Sequence, residues 1–338
     1  MFDIAQQLER ELAAGHRVAV VLVSSVAGSA PRALGSAMAV TDDGRAIGSI
    51  SGGCVEGESY ALAQEVLTDG QARVSDFGFS DEDALLAGLS CGGHIGAVAV
   101  LLTPADAWIR EQLRAAVRGE RAALSVSLGA NPGRIAGVAA DAITSADGDV
   151  LTVVSEAPAR MIIVGAVDFS SALADAARML GFHVTVVDAR PVFATAERFP
   201  SAHQVVCAWP DAYLAGTDID SRTVICVLTH EERFDIPVLA QALGSPAAYV
   251  GAMGSRRTHD RRMALLRQRG IGAAELARLR SPIGLDLGGS TAHETAIAII
   301  AEVVADRTGA SAQRLSTTAG RIHGGATHGE LPVGILNT

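Results

Sequence analysis

Two hydrophobic periods divide the chain. Ile4, Leu8 and Leu12 recur at i, i+4 and i+8 with Gly15 behind them. That spacing predicts an amphipathic helix over 3–14 ended by a glycine. Apolar runs then predict strands over 18–23, 72–77 and 95–102, with a helix over 55–67 between the first two. A hairpin fits 37–40 and 46–50, which flank Asp42-Asp43-Gly44. Residues 1–103 thus read as an α+β domain. A helix over 105–117 and short antiparallel strands over 123–128, 134–140 and 150–154 form a connecting region, 104–157.

The pattern changes at Ala157-Pro158. Short runs that are apolar throughout, 161–164, 183–187, 204–207, 224–228 and 247–250, alternate with helical stretches such as 170–180 and 234–243. Short buried strands between helices predict parallel pairing with right-handed crossovers. The fold class is therefore α/β: an N-terminal α+β domain followed by a Rossmann-like, doubly wound parallel-sheet domain over 158–306. Residues 307–338, rich in Gly, Thr, Ser and His, read as an extended C-terminal tail.

Composition narrows the function classes. Apolar residues are 49% of the 338 but aromatics only 4%, so the cores are built from Ala, Val, Leu and Ile. A net charge of −10 argues against nucleic acid as a general partner, because phosphates need a basic surface. No apolar run reaches the ~18 residues of a membrane span. The first residues lack the basic and apolar regions of a signal peptide. The four cysteines form no CxxC pair and no zinc spacing, so free thiols and a cytoplasmic location are expected.

Five segments could carry chemistry. Gly28-Ser29-Ala30-Pro31-Arg32-Ala33-Leu34-Gly35 follows a buried strand; its backbone and Arg32 suit a phosphate, or it is a plain loop with a solvated arginine. Gly52-Gly53-Cys54-Val55-Glu56 opens a helix, where the dipole favours a Cys54 thiolate, the form that binds soft metals. Cys91-Gly92-Gly93 repeats a thiol beside two glycines, and two such thiols in one domain suggest a shared site. Cys207 and Cys226 instead fall inside apolar runs, where burial makes a thiol inert.

The other two segments lie in the second half. Gly165-Ala166-Val167-Asp168-Phe169-Ser170 keeps only Gly165 of the dinucleotide fingerprint, so NAD is not expected to bind tightly. Asp188 ends the next strand and either takes a ribose hydroxyl or caps the turn into Pro191. Gly254, Ser255, Arg256 and Arg257 open a helix after a strand, as an anion site or as a solvated basic face. His230 ends another strand, as a proton carrier or a structural histidine.

Taken in order, these segments resemble the XdhC/CoxI family, xanthine dehydrogenase accessory proteins that insert the molybdenum cofactor. The resemblance rests on Ser29 with Pro31-Arg32 and Gly35, on Gly52-Gly53-Cys54 with Glu56, and on Cys91-Gly92-Gly93. In the second half it rests on Asp188 with Arg190, Arg198-Phe199-Pro200, Thr229-His230, Gly254-Ser255-Arg256-Arg257 and Pro282-Ile283-Gly284-Leu285-Asp286. It covers about residues 15–305. It implies a non-catalytic carrier of a molybdopterin-type cofactor, held by Arg32, glycine-rich backbone, Cys54 as metal ligand and Cys91. It also implies a xanthine dehydrogenase-type hydroxylase as client, a cysteine desulfurase as a further partner, and a homodimer. Two segments depart from the family: Gly165-Ala166-Val167-Asp168 stands for Gly-Ala-Gly-His, and Ala292-His293-Glu294 for Pro-Glu-Glu. The rival readings are a nicotinamide-dependent oxidoreductase and a partner-binding scaffold that has lost its ligand.

Overall fold

The computed structural model describes residues 1–28, 32–53, 55–78 and 93–319. Its packing divides the chain into two compact units, Met1–Ala157 and Pro158–Thr318.

The first unit runs α1 (Ala5–Ala13), β1 (Val18–Gly28), β2 (Ala37–Thr41), β3 (Ala46–Gly48), α2 (Glu56–Asp69), β4 (Arg73–Gly78), β5 (Gly93–Leu102) and α3 (Ala107–Val117). Four short strands follow, β6 (Ala122–Ser127), β7 (Ile135–Ala136), β8 (Ser145–Asp147) and β9 (Val150–Ser155). One antiparallel sheet has the order β3-β2-β1-β5-β4, the other β7-β6-β9-β8. Side chains alternate between faces along a strand, and both faces of the larger sheet are used. Val20, Leu22, Val98 and Val100 pack with Leu8 and Leu12 of α1, Leu113 of α3, and Leu124 and Val153 of the small sheet. Val21, Val23, Ala97 and Ala99 pack with Ala63 and Val66 of α2. Residues 134–140 do not make a full strand: only Ile135–Ala136 pairs, opposite Ser125 and Val126. The polar strand Ser145–Asp147 had no apolar alternation to announce it.

The second unit contains β10 (Arg160–Val164), α4 (Asp168–Met179), β11 (His183–Asp188), β12 (Gln204–Cys207), α5 (Pro210–Ala215), β13 (Val224–Val227), α6 (Glu232–Gly244) and β14 (Tyr249–Ala252). It ends with α7 (Arg256–Gln268), α8 (Ala273–Ala277), β15 (Leu279–Arg280) and α9 (Ala292–Thr308). The sheet is parallel throughout, in the order β12-β11-β10-β13-β14-β15. This is the doubly wound order, with its switch point between β10 and β13. Ile163, Val186 and Cys226 pack under Leu173 and Ala177 of α4 and Ile299 and Val303 of α9. On the other face Ile162, Val164, Ile225 and Val227 meet Leu239 and Leu243 of α6 and Leu266 of α7. Burial on both faces explains why these strands lack alternation. The strand expected at 247–250 lies two residues later, with Ala252 paired to Val227. Among the described residues no helix is long and apolar enough to cross a membrane.

Candidate functional sites

The topology of the first unit brings three sequence segments to one end of its larger sheet. The 28–35 segment leaves β1 at Gly28, and Gly28 stands opposite Gly93 of β5. Cys91 and Gly92 directly precede Gly93 in the chain. The 48–56 segment leaves β3 at Gly48, whose partner Met38 lies at the start of β2. A β-carbon at Gly48 (φ +73°) would lie 2.8 Å from the Ile4 Cγ2 and would overlap the Ala37 carbonyl, so the turn off β3 requires glycine. Arg32 is exposed. Cys54, Cys91 and Gly92 lie outside the described residues.

Glu56 turns its carboxylate back onto its own loop. Its Oε1 accepts hydrogen bonds from Ser49 Oγ (2.6 Å), the Ser51 amide (3.0 Å) and the Gly52 amide (2.9 Å). Its Oε2 accepts from Ser51 Oγ (2.5 Å) and the Gly53 amide (2.7 Å). Desolvation works to raise its pKa, but bonds from Ser49, Ser51 and the backbone amides outweigh it and hold the carboxyl at about 2. The carboxylate fills the nest of amides that the glycine pair makes. Gly52 and Gly53 therefore serve as donors to Glu56, and the latch fixes the loop up to residue 53. The sequence showed the glutamate two residues beyond the cysteine but not where its carboxylate turns.

In the second unit, Gly165 (φ +108°) sits at the switch point. A β-carbon there would lie 2.6 Å from Thr229 Cγ2, so close approach of two crest loops requires glycine. Ser170, in the third-glycine place, is buried and donates to the Gly165 carbonyl at 2.5 Å. Asp188 is 2% exposed. One of its oxygens accepts from the Ala166 amide (2.7 Å) and Arg190 Nη2 (2.7 Å), the other from the Arg190 amide and Nε (both 2.9 Å). Burial opposes ionisation, but Arg190 and the two amides keep the carboxyl below its usual range. Asp188 is thus held by its own turn, and the Arg190 guanidinium lies against its carboxylate. Arg190 also reaches Glu231 (3.3 Å) and lies 4.8 Å over the Phe193 ring.

The anion segment divides in two. Ser255 caps α7, its Oγ accepting from the Thr258 amide at 3.1 Å. Gly254 (φ +152°) makes the preceding turn. Arg256, Arg257 and His230 are exposed, and among the described residues these three have no hydrogen-bond or ion-pair partner. Arg262, one turn and a half further on, is the buried arginine of this helix. It pairs with Asp235 (2.8 Å) and donates to the Met253 carbonyl (2.9 Å) and Ser281 Oγ (3.0 Å). Asp235 in turn accepts from the Thr229 hydroxyl. Arg262 thus ties α6 to the loops after β14 and β15, and Asp235 links it on to Thr229 after β13. Its partner stands 27 residues away, so the only local signal was its i, i+4 spacing to the buried Leu266.

The two strand cysteines differ. Cys226 is fully buried, and burial pushes its thiol well above the usual range. Cys207 is exposed, against the expectation of an inert buried thiol. It ends β12, the edge strand, which only one neighbour covers. A further group, His16, Asp42 and Asp43, brings ligand atoms within 4.8 Å. Its members are engaged already: Asp42 with His16 (2.7 Å) and the Arg17 amide (3.0 Å), Asp43 with Arg45 (2.9 Å).

The chain is similar to known proteins. The family model of the XdhC Rossmann domain matches residues 161–303, and that of the XdhC and CoxI family matches 11–78. The molybdenum cofactor insertion chaperone PaoD of Escherichia coli is 28% identical over 300 residues, 88% of this chain and 85% of that protein. A probable xanthine dehydrogenase subunit of Bacillus subtilis is 26% identical over 312 residues, 84% and 92% of the two chains. A crystal structure named as a xanthine dehydrogenase from Bacillus halodurans superposes with a TM-score of 0.71 at 24% identity, over 93% of this chain and 98% of that one. That likeness speaks for the fold. With one family model in each unit and relatives aligned over most of its length, the chain belongs to the XdhC and CoxI family.

Proposed function

We propose that this protein carries a molybdopterin-type molybdenum cofactor and inserts it into a xanthine dehydrogenase-type hydroxylase, without catalysing a reaction itself. The observation that supports the reading is the Gly28–Gly93 pair, where the strands flanking the Arg32 and Cys91 segments meet, together with the latch of Glu56 on the loop before Cys54. The names of the E. coli and B. subtilis relatives agree with it. The donor set suits the cargo: thiols are soft ligands for molybdenum and sulfur, and an exposed arginine suits a phosphate. In this reading Cys54 holds the metal, Cys91 lies near it, and Arg32 meets the phosphate. The amides of Gly52 and Gly53 hold Glu56 and so position the thiol instead of touching the cargo. The exposed Arg256, Arg257 and His230 form a second polar surface, on the other unit, open to a phosphorylated ligand. A cysteine desulfurase supplies sulfur, and the carrier works as a cytoplasmic homodimer.

The nicotinamide reading has less support. The carboxylate that would take a ribose hydroxyl is consumed by Arg190 and Ala166, and Val167 stands where pyrophosphate needs bare backbone. The test is transfer. Protein purified from a molybdopterin-producing host, added to a cofactor-free hydroxylase, should restore its activity in proportion to the molybdenum supplied. Activation that is equal with molybdenum-free protein would contradict the carrier role.

A further inference from the structure

At the same sheet end, three polar side chains from three strands converge on bare glycine backbone. β1 and β5 change register between Val23 and Ser25. This bulge buries Ser24 (4% exposed) and sets Ser25 opposite Gly96, which stands opposite Asp76 of β4. Bulges re-aim side chains in this way. A β-carbon at Gly96 would overlap the Ser25 hydroxyl, and would lie 3.1 Å from Asp76 Oδ1 and 3.3 Å from Ser24 Oγ. The Ser25 hydroxyl therefore occupies the place a side chain at position 96 would take, beside the Asp76 and Ser24 oxygens. In the next row His94 stands opposite Gly78. Its ring lies against the Gly78 backbone, with Cγ 2.8 Å from where a β-carbon would be.

Ser25, Asp76 and His94 are exposed, and among the described residues none of the three has a hydrogen-bond or ion-pair partner. The shelf is on the face of Val98 and Val100, opposite to α2, and His94 is the third residue after Cys91. It therefore adjoins the Cys91 segment and not the latched loop.

We propose that Ser25, Asp76 and His94 form a polar shelf that takes the 2-amino-4-oxopyrimidine edge of a pterin. That edge presents an amino group and a ring N–H side by side, two donors that match the two oxygens of one carboxylate. Gly96 makes room for the Ser25 hydroxyl beside Asp76, so that hydroxyl and carboxylate together offer partners to the flat edge. The His94 ring offers a plane beside it for stacking. The inference rests on the carrier reading and gives the pterin end of the cargo its own recognition site, separate from the thiols.

The probe is 6-hydroxymethylpterin, which has the edge but neither dithiolene nor metal, followed by quenching of its fluorescence. Wild-type protein and the Cys54→Ser/Cys91→Ser variant should bind it alike. Asp76→Asn should bind about tenfold more weakly, and Gly96→Val, whose side chain displaces the Ser25 hydroxyl, should bind more weakly than the wild type. Asp76→Asn should unfold at a temperature near the wild type. Guanosine shares the edge on a different ring system; preference for it over the pterin would overturn the pterin assignment. Equal pterin affinity in Asp76→Asn and wild type would overturn the shelf. Molybdopterin content of protein from a producing host separates the two ideas. Wild-type content in Asp76→Asn overturns the shelf alone, whereas its absence from the wild type overturns the carrier reading.

Discussion

Gly28 and Gly93 face each other across β1 and β5, and this pairing makes neighbours of two strand ends 65 positions apart in sequence. Each glycine adjoins a segment rich in candidate ligands. The thiols on these loops should differ from those of the parallel sheet. Alkylation of native protein should label Cys54, Cys91 and the exposed Cys207, and leave Cys226 unlabelled until the protein unfolds. Peptide mass mapping of a short iodoacetamide pulse reads this directly. Early labelling of Cys226 would contradict its burial.

The Glu56 latch should be visible in stability. Glu56→Gln puts an amide group against donors and should cost about 1.5–3 kcal/mol in urea unfolding. The folded pKa of about 2 lies below the usual 4.5, so the group stabilises fully above that usual value and the contribution is lost as pH falls towards 2. The wild-type and Glu56→Gln unfolding curves should therefore converge between these two values. A constant difference down to pH 2 would show that the carboxylate charge is not what holds the loop.

The Arg262–Asp235 pair is buried on both sides, at 3% and 4% side-chain exposure. Arg262→Met should destabilise by about 3–5 kcal/mol because it strands a buried carboxylate. Adding Asp235→Leu should restore much of the loss. A double-mutant cycle by chemical denaturation checks this, and simple additivity would contradict the coupling.

Dinucleotides should bind weakly to the second unit. Calorimetry with NADH and FAD should give no dissociation constant below about 10 μM. Asp188→Ala should not create such a site, because Arg190 remains over the Phe193 ring. Tight NADH binding would revive the oxidoreductase reading.

Much of the fold was legible because its signals are local. Runs such as Met161–Val164 are apolar on both faces, and only a covered parallel strand needs that. The glycine-bounded segments were legible as candidates for the same reason. What the sequence hid depends on register and on partners far away. Glu56 looks like a ligand in the string of residues, yet its carboxylate turns back onto Gly52 and Gly53. Cys207 looks buried from its apolar neighbours, but β12 is an edge strand, and sheet order cannot be read locally. Arg262 could not be told from Arg256 and Arg257 without Asp235. Ser25, Asp76 and His94 carry no motif at all, because a bulge at Ser24 decides which way Ser25 points.

The central claim is that the protein carries its cargo on the thiols of the first unit. The most direct measurement is molybdenum by elemental analysis, and pterin by fluorescence of its oxidised form, in protein purified from a molybdopterin-producing host. Wild-type protein should retain both in equal amounts, and Cys54→Ser should lose most of both at unchanged melting temperature, since a hydroxyl is a poor ligand for a soft metal. Wild-type protein without molybdenum or pterin, or Cys54→Ser with full content of both, would contradict it.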